Sequence, residues 1–396
     1  MPATTVISTV GTSLFFPNLS TLKADAADLV RSRLAAAYAR KDWNGVANEL
    51  LSLVPQERLC GAEINSLASL CDKQHVAPDA NLFFCHSDTD DGRAIGEVLQ
   101  AYYRRRGTGS SRTRESSDRS LTTSATGGHP VVELRPIADL QDTDPRRFRT
   151  RGLRNLAKEI CAIIRDYGAA NCAINATGGY KAQIAIAVLM GQALHVPVFY
   201  KHERFDEIIA FPPMPVSLDF DIWLRASGML FDLAAANDFV PADGYMDDWD
   251  ERFESLVERE VIDGAAFLEL SPTGQIFHET FRERFRSVRD QILPPAALPG
   301  QKRPPRWEDS GHMRSHPEIL ATMQRLTDEI PQVLHCATFY FNPDLPARTG
   351  FRLGKDGLEG IVSNGTYTAK FRVETTAQTP GQTTAMLAVL NEWLRA

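Results

Sequence analysis

Across the first 220 residues, short apolar runs alternate with longer stretches in which apolar positions recur every three to four residues. The runs lie at residues 5–10, 81–86, 130–134, 171–175 and 196–200, and the helical patterns at 22–40, 92–105, 152–166 and 179–194. Strand and helix in alternation predict a parallel sheet covered by helices on both faces, an α/β fold of the doubly wound kind. The stretch VPVFYKHERFDEIIAFPPM, two apolar segments around a charged tip, predicts an antiparallel hairpin closing this domain. Residues 106–128, rich in Ser, Thr, Gly and Arg, hold too few apolar side chains to offset the entropy of ordering. A flexible surface loop is expected there.

After residue 220 the alternation stops. Residues 221–293 look mostly helical, with one break at FLELSPTGQIFHET. A strand, a Pro-Thr-Gly turn and a second strand between helices outline a winged helix-turn-helix. Five prolines in 294–305 mark a linker. Residues 306–396 then predict a small α+β domain: a helix at 315–329, strands at 334–342, 349–353, 359–363 and 366–376, and a closing helix at 381–395.

Length agrees with this division, since 396 residues suffice for two or three domains that each bury a core. The six cysteines are scattered without zinc-site spacing and read as buried thiols of a reducing compartment. No secretory leader pattern and no long apolar window are visible, so a cytoplasmic protein without membrane contact is expected. The net charge of −7 conceals a split. Residues 221–290 carry 16 acidic and 7 basic side chains, about −9, while residues 1–220 and 301–396 each stand near +1. A segment this acidic repels phosphate, so the winged-helix outline points to a relay or protein-docking role, with no DNA partner.

Three strand ends carry candidate chemistry. ISTVGTSL at 7–14 runs a hydrophobic strand into Gly11, Thr12 and Ser13, in the loop after the first strand, where a doubly wound sheet places its ligand. NATGGYKAQIAIAVLM at 175–190 ends a strand at Thr177, Gly178 and Gly179 and opens a helix with Lys181. Amide groups of a glycine-rich turn, the positive end of a helix and a lysine together suit a phosphate, although a purely structural turn has the same appearance. Neither GxxxxGK[ST] nor GxGxxG is present, so a nucleoside triphosphate or a dinucleotide is not the natural ligand. FFCHSDTDDGRAIGEVL at 83–99 adds Ser87 and Thr89 as ligand or capping groups. Gly92 falls where an EF-hand needs an oxygen ligand, which excludes that calcium loop.

With STVGTSL, the SDT strand end, NATGGYKA and the GLRNL run at 152–156, residues 1–220 resemble the CARF sensor domain of type III CRISPR accessory proteins. They resemble most the branch marked N-A-T-G-G-[FY]-K. The resemblance implies a homodimeric Rossmann-like sheet binding a cyclic oligoadenylate, in this branch cyclic tetra-adenylate, across the two-fold axis. Carried over by position, Gly11, Thr12, Ser13, Thr177, Gly178, Gly179 and Lys181 line that ring. The 106–128 loop departs from the family pattern.

The C-terminal segments decide the output. Arg306 and His312 give a match to the R-x(4-6)-H pattern of HEPN ribonucleases, but Pro304, Pro305 and Gly311 forbid a regular helix there. Residues 312–396, a helix, antiparallel strands and a closing helix, resemble the RelE family of mRNA interferases. That resemblance implies a metal-independent cut of mRNA on the ribosome, with no cofactor beyond the activating ligand. Arg348, Arg352, Lys355, Lys370 and Arg372 are the candidate catalytic cations, and Lys370 and Arg372 share one face of their strand. Tyr367 stands in for the family's acid–base aromatic. A solvated charged sheet face is the bland alternative. His312, His316 and His335 are expected to be surface or RNA-contacting groups. The leading expectation is a ligand-gated endoribonuclease. Its rivals are a transcriptional regulator, a HEPN-type nuclease and a sensor that cleaves its own ring.

Overall fold

In the computed structural model, residues 1–23, 27–110, 130–205, 207–214, 218–236, 238–307 and 316–395 are described. Of the surface loop expected at 106–128, residues 106–110 instead continue the preceding helix to Ser110, and residues 111–128 lie outside the described residues. The chain divides into two compact units, Met1–Ser217 and Leu218–Ala396. Among the described residues no helix is long and apolar enough to cross a membrane.

The first unit comprises β1 (Ala3–Thr9), α1 (Leu29–Ala39), α2 (Trp43–Leu50), α3 (Gly61–Asp72), β2 (Val76–Ser87), α4 (Asp90–Ser110) and β3 (Val132–Ile137). It continues through the single turn α5 (Pro145–Arg147), α6 (Leu153–Tyr167), β4 (Cys172–Asn175), α7 (Lys181–Leu194), β5 (Val198–Lys201) and β6 (Ile208–Phe211). Its sheet has the order β3-β2-β1-β4-β5-β6, parallel except for β6, which returns antiparallel along β5 as the hairpin reading expects. This is the Rossmann-like order, with the chain reversing direction across the sheet between β1 and β4. β1 is buried along nearly its whole length because helices cover both faces. Val6 joins Ile64, Leu67 and Ile95 in the core beneath α3 and α4. Its neighbour Ile7 points the opposite way and stands in register with Phe83, whose ring meets Tyr167 of α6 at 5.1 Å.

The second unit comprises α8 (Phe220–Ala235), β7 (Val240–Pro241), two 3-10 turns (Ala242–Asp248 and Glu251–Leu256), β8 (Val257–Ile262), β9 (Ala265–Leu270) and α9 (Pro272–Ile292). After β10 (Arg306–Trp307) come α10 (Pro317–Glu329), β11 (Val333–Asn342), β12 (Gly350–Gly354), β13 (Gly357–Ser363), β14 (Thr368–Thr375) and α11 (Pro380–Trp393). The C-terminal elements fall where the hydrophobic pattern places them, in a five-stranded sheet of order β10-β11-β14-β13-β12. The middle segment differs from its sequence reading. QIFHET is not a second wing strand but the first turns of α9, with Ser271 as N-cap accepting the Gly274 amide at 2.9 Å and Pro272 in the first turn. Nor does the middle segment have a core of its own. Trp223 and Leu230 of α8 and Phe281 of α9 share one cluster with Met323 of α10, Phe371 of β14 and Leu390 of α11.

Candidate functional site

The C-terminal ends of β2, β1 and β4 stand side by side in the first unit, and each sequence-derived ligand loop leaves from one of them. At the β1/β4 switch point the two glycine loops touch. A side-chain carbon on Gly11 would lie 2.5 Å from the Gly179 amide nitrogen, and one on Gly178 would lie 2.9 Å from the Gly11 nitrogen. Gly179 has φ +109, a backbone that side-chain-bearing residues rarely adopt. The close approach that requires glycine is therefore between the loops themselves.

Hydrogen bonds divide the expected ligand groups into two sets. The Gly11 amide donates inward to Glu63 Oε1 at 2.7 Å. Ser13 Oγ accepts the Ala62 amide at 3.1 Å, at the start of α3. Thr177 Oγ1 donates to Asn175 Oδ1 at 2.7 Å and accepts the Lys201 amide at 3.0 Å. Thr89 Oγ1 accepts the Gly92 amide at 3.1 Å in the first turn of α4, and Ser87 Oγ lies 2.9 Å from Thr89 Oγ1. These five hold the loops. Thr12 and Lys181 are exposed, and Lys181 has no ion-pair partner among the described residues. Lys181 opens α7, where the unpaired amides of the first turn add positive potential.

Sequence reasoning missed the groups beneath these loops. Thr9 Oγ1 donates to the Gly178 carbonyl at 2.5 Å. Asn175 Nδ2 donates to Ser8 Oγ at 2.7 Å and Ser66 Oγ at 2.8 Å. Gln183, wholly buried, accepts the Tyr180 amide and donates to the Cys85 carbonyl at 3.2 Å. Glu63 is 0% exposed, and its Oε2 has no hydrogen-bond partner. Burial pushes its carboxyl up to about 7, while the amides of Gly11 and of Glu63 itself pull the other way. One signal marked it: Cys60, Glu63, Ile64, Leu67 and Leu70 recur at helical spacing, which places the glutamate on an apolar face.

In the second unit a cavity of about 1200 Å³ collects three of the expected catalytic cations, Arg348, Arg352 and Lys370. Arg352 Nε is 3.1 Å from Glu359 Oε2, and the Lys370 ammonium lies 5.2 Å from the Tyr340 ring centre. The other candidates do not line it. Lys355 is exposed in the turn after β12, and Arg372 reaches Asp356 at 3.3 Å. Tyr367 is 2% exposed and donates its hydroxyl to Glu318 Oε1 at 2.8 Å, beside the His316 ring. Burial, then the hydrogen bond to Glu318 and the charge of that carboxylate, hold that phenol well above its ordinary value. His335 is buried rather than a surface group. Arg306 lies on β10 instead of a helix, and His312 falls outside the described residues.

The middle segment brings to this cavity groups that its sequence does not announce. Asp232 of α8, 9% exposed in its side chain, ion-pairs with both Arg348 and Arg395. Arg348 also lies over the Tyr245 ring, 4.7 Å from its centre. Burial pulls both guanidiniums down to about 10, so both stay charged at neutral pH. With Arg225, the wall holds five cations against the carboxylates of Asp232, Asp243 and Asp250. Arg225 pairs with Asp221 and Arg352 with Glu359, so every arginine of this wall has a carboxylate partner, and the rings of Tyr245 and Trp249 add aromatic faces on which a base can stack. Among the described residues no three His, Cys, Asp or Glu side chains form a metal-binding group.

No curated protein matches the chain. A solved structure of Can2 from Sulfobacillus thermosulfidooxidans in complex with cyclic tetra-adenylate aligns at 12% identity over 73% of this chain and 66% of that chain. This chain thus spans slightly less than two thirds of that protein, and the TM-score of 0.23 is too low to equate the two folds. Residues 58–214, which run from just before α3 through β6, match the family described as CRISPR-associated protein (Cas_APE2256), so the first unit is similar to that family over most of its length.

Proposed function

We propose that the chain is a CRISPR accessory effector whose first unit, as a homodimer, binds a cyclic oligoadenylate. The observation that carries this reading is the meeting of the Gly11 and Gly178–Gly179 loops at the switch point, with Thr12 and Lys181 left outward, in a segment similar to a CRISPR-associated family. One such loop pair per subunit offers two equivalent anion sites to a two-fold ring. Cyclic tetra-adenylate is the ring that the NATGGYKA resemblance favours. Calorimetry tests it: Lys181→Ala should bind cyclic tetra-adenylate about tenfold or more weakly with an unchanged melting profile, the loss expected for one charge-assisted contact. Equal affinity in the variant, or a monomer by light scattering, contradicts the reading.

The second unit is proposed to be the ligand-activated ribonuclease, without a metal and acting on ribosome-bound mRNA. Support comes from Arg348, Arg352 and Lys370 converging on one cavity wall. In the step proposed, the ribose 2′-hydroxyl loses its proton to solvent and its oxygen bonds to the adjacent phosphorus, while the 5′-oxygen leaves and takes up a proton from solvent. The products are a 2′,3′-cyclic phosphate and a 5′-hydroxyl. The cations stabilise the charge that builds on the non-bridging oxygens. Ribosome dependence rests on the RelE resemblance and on a sheet domain near +1, too weakly charged to hold free RNA in place.

A further inference from the structure

We propose that Glu63 is the positioning residue of the two-glycine junction and is a neutral carboxylic acid when the anion site above it is filled, so that binding above neutral pH takes up one proton per subunit. This deepens the cyclic-oligoadenylate reading of that site and rests on it. The geometry comes first. Glu63 has no exposure to solvent, its Oε1 accepts the Gly11 amide at 2.7 Å, and a side-chain carbon on Gly178 would collide with the same oxygen. The carboxyl is thus wedged beneath both loops, and its second oxygen has no partner.

The surrounding groups supply no countercharge. The Gly11 amide faces it from the loop after β1, its own amide from α3, and the Tyr103 hydroxyl on α4 senses its charge. On α7, Lys181 is exposed to solvent, and among the described residues no ion pair reaches Glu63. A buried carboxylate without a cation is strongly disfavoured, whereas the acid form removes the charge. The upward displacement of this carboxyl to about 7 agrees with that balance. A phosphate placed over Gly11, Gly178 and Lys181 adds a like charge above the carboxyl and favours the protonated form further. Proton and ligand therefore assist one another, and by reciprocity affinity falls as pH rises above the free-state titration.

The experiment is calorimetry of the full chain with cyclic tetra-adenylate at pH 6, 7 and 8, each in two buffers of different ionisation enthalpy. The expected result is proton uptake rising toward one per subunit, two per ring, above neutrality, with affinity for the ring weakening by up to about a hundredfold per pH unit. Glu63→Gln, which carries the neutral shape permanently, should bind at pH 8 as tightly as the parent does at pH 6, with its own profile flattened. Binding in the parent without proton uptake overturns this inference alone, as does a Glu63→Gln profile as steep as the parent's. The parent measurement needs no variant to fold. Absence of binding at every pH overturns the ligand reading, and proton uptake with it.

Discussion

At position 11 the glycine answers to a neighbouring loop rather than to a ligand. Alanine there would press on the backbone nitrogen of Gly179, 2.5 Å away, so the loops must part. Gly11→Ala should cost about 1–3 kcal/mol, as overpacking does, lower the melting temperature and weaken cyclic tetra-adenylate binding together. Thr12→Ala, at an exposed position, should leave the melt unchanged. Glu63 also gives a ligand-free prediction. Its folded carboxyl holds a proton up to about 7, against an ordinary value of 4.5, so between these values only the unfolded chain ionises. Stability from this group is present at pH 4.5 and below, falls by about 1.4 kcal/mol per unit as pH rises through that window, and levels above 7. Denaturant unfolding at pH 5, 6, 7 and 8 should show this slope in the parent and not in Glu63→Gln. A parent more stable at pH 7 than at pH 5 relative to the variant counts against it.

Whole elements are mostly legible from periodicity, and where they are not the reason is physical. The β-α alternation follows from apolar runs, buried on both faces, between stretches of helical period, and the six predicted C-terminal elements follow from the same hydrophobic pattern. The start of α9 defeats that logic because Gln275 through Phe281 are all buried, which erases the helical period, and because Ser-Pro-Thr-Gly serves equally as a turn and as an N-cap. The acidity of the middle segment suggests a separate domain, but charge marks surface and its core is shared. Three candidate cations meet in the cavity, since β-strand alternation carries Lys370 there, while Asp232 is invisible in the sequence because its partners lie over a hundred residues away. An isolated 221–293 fragment should therefore fail to fold, with little protection in hydrogen exchange, and a stable fragment would contradict the shared core. Asp232→Ala strips two partly buried guanidiniums of their carboxylate, and should destabilise the chain by about 3 kcal/mol, the lower end for a broken buried pair, because Arg348 keeps a third of its side chain exposed. Asp232→Asn, which retains hydrogen bonds, should lose less.

In the molecule as a whole, one chain carries both a unit proposed to sense an anionic ring and a unit whose cavity is lined by five cations. On the proposed reading, the acidic excess of residues 221–290 disfavours free nucleic acid, and cleavage is expected only with both the ligand and a ribosome that delivers the strand. Within the cavity, Arg352→Ala and Lys370→Ala should each lower the cleavage rate by about 10²-fold or more while leaving ligand binding intact, as removal of a transition-state donor does. Arg372→Ala, outside the cavity and paired with Asp356, should do far less. Ligand gating is the central claim, and the direct measurement is mRNA cleavage by the full chain on translating ribosomes, with and without cyclic tetra-adenylate, repeated with EDTA at a level that leaves ribosomes assembled. Gating predicts cuts ending in 2′,3′-cyclic phosphates only when the ligand is present, insensitive to EDTA and slowed by about 10²-fold or more in the Lys370→Ala chain. Cleavage that is equal with and without ligand, or absent in both, would contradict it.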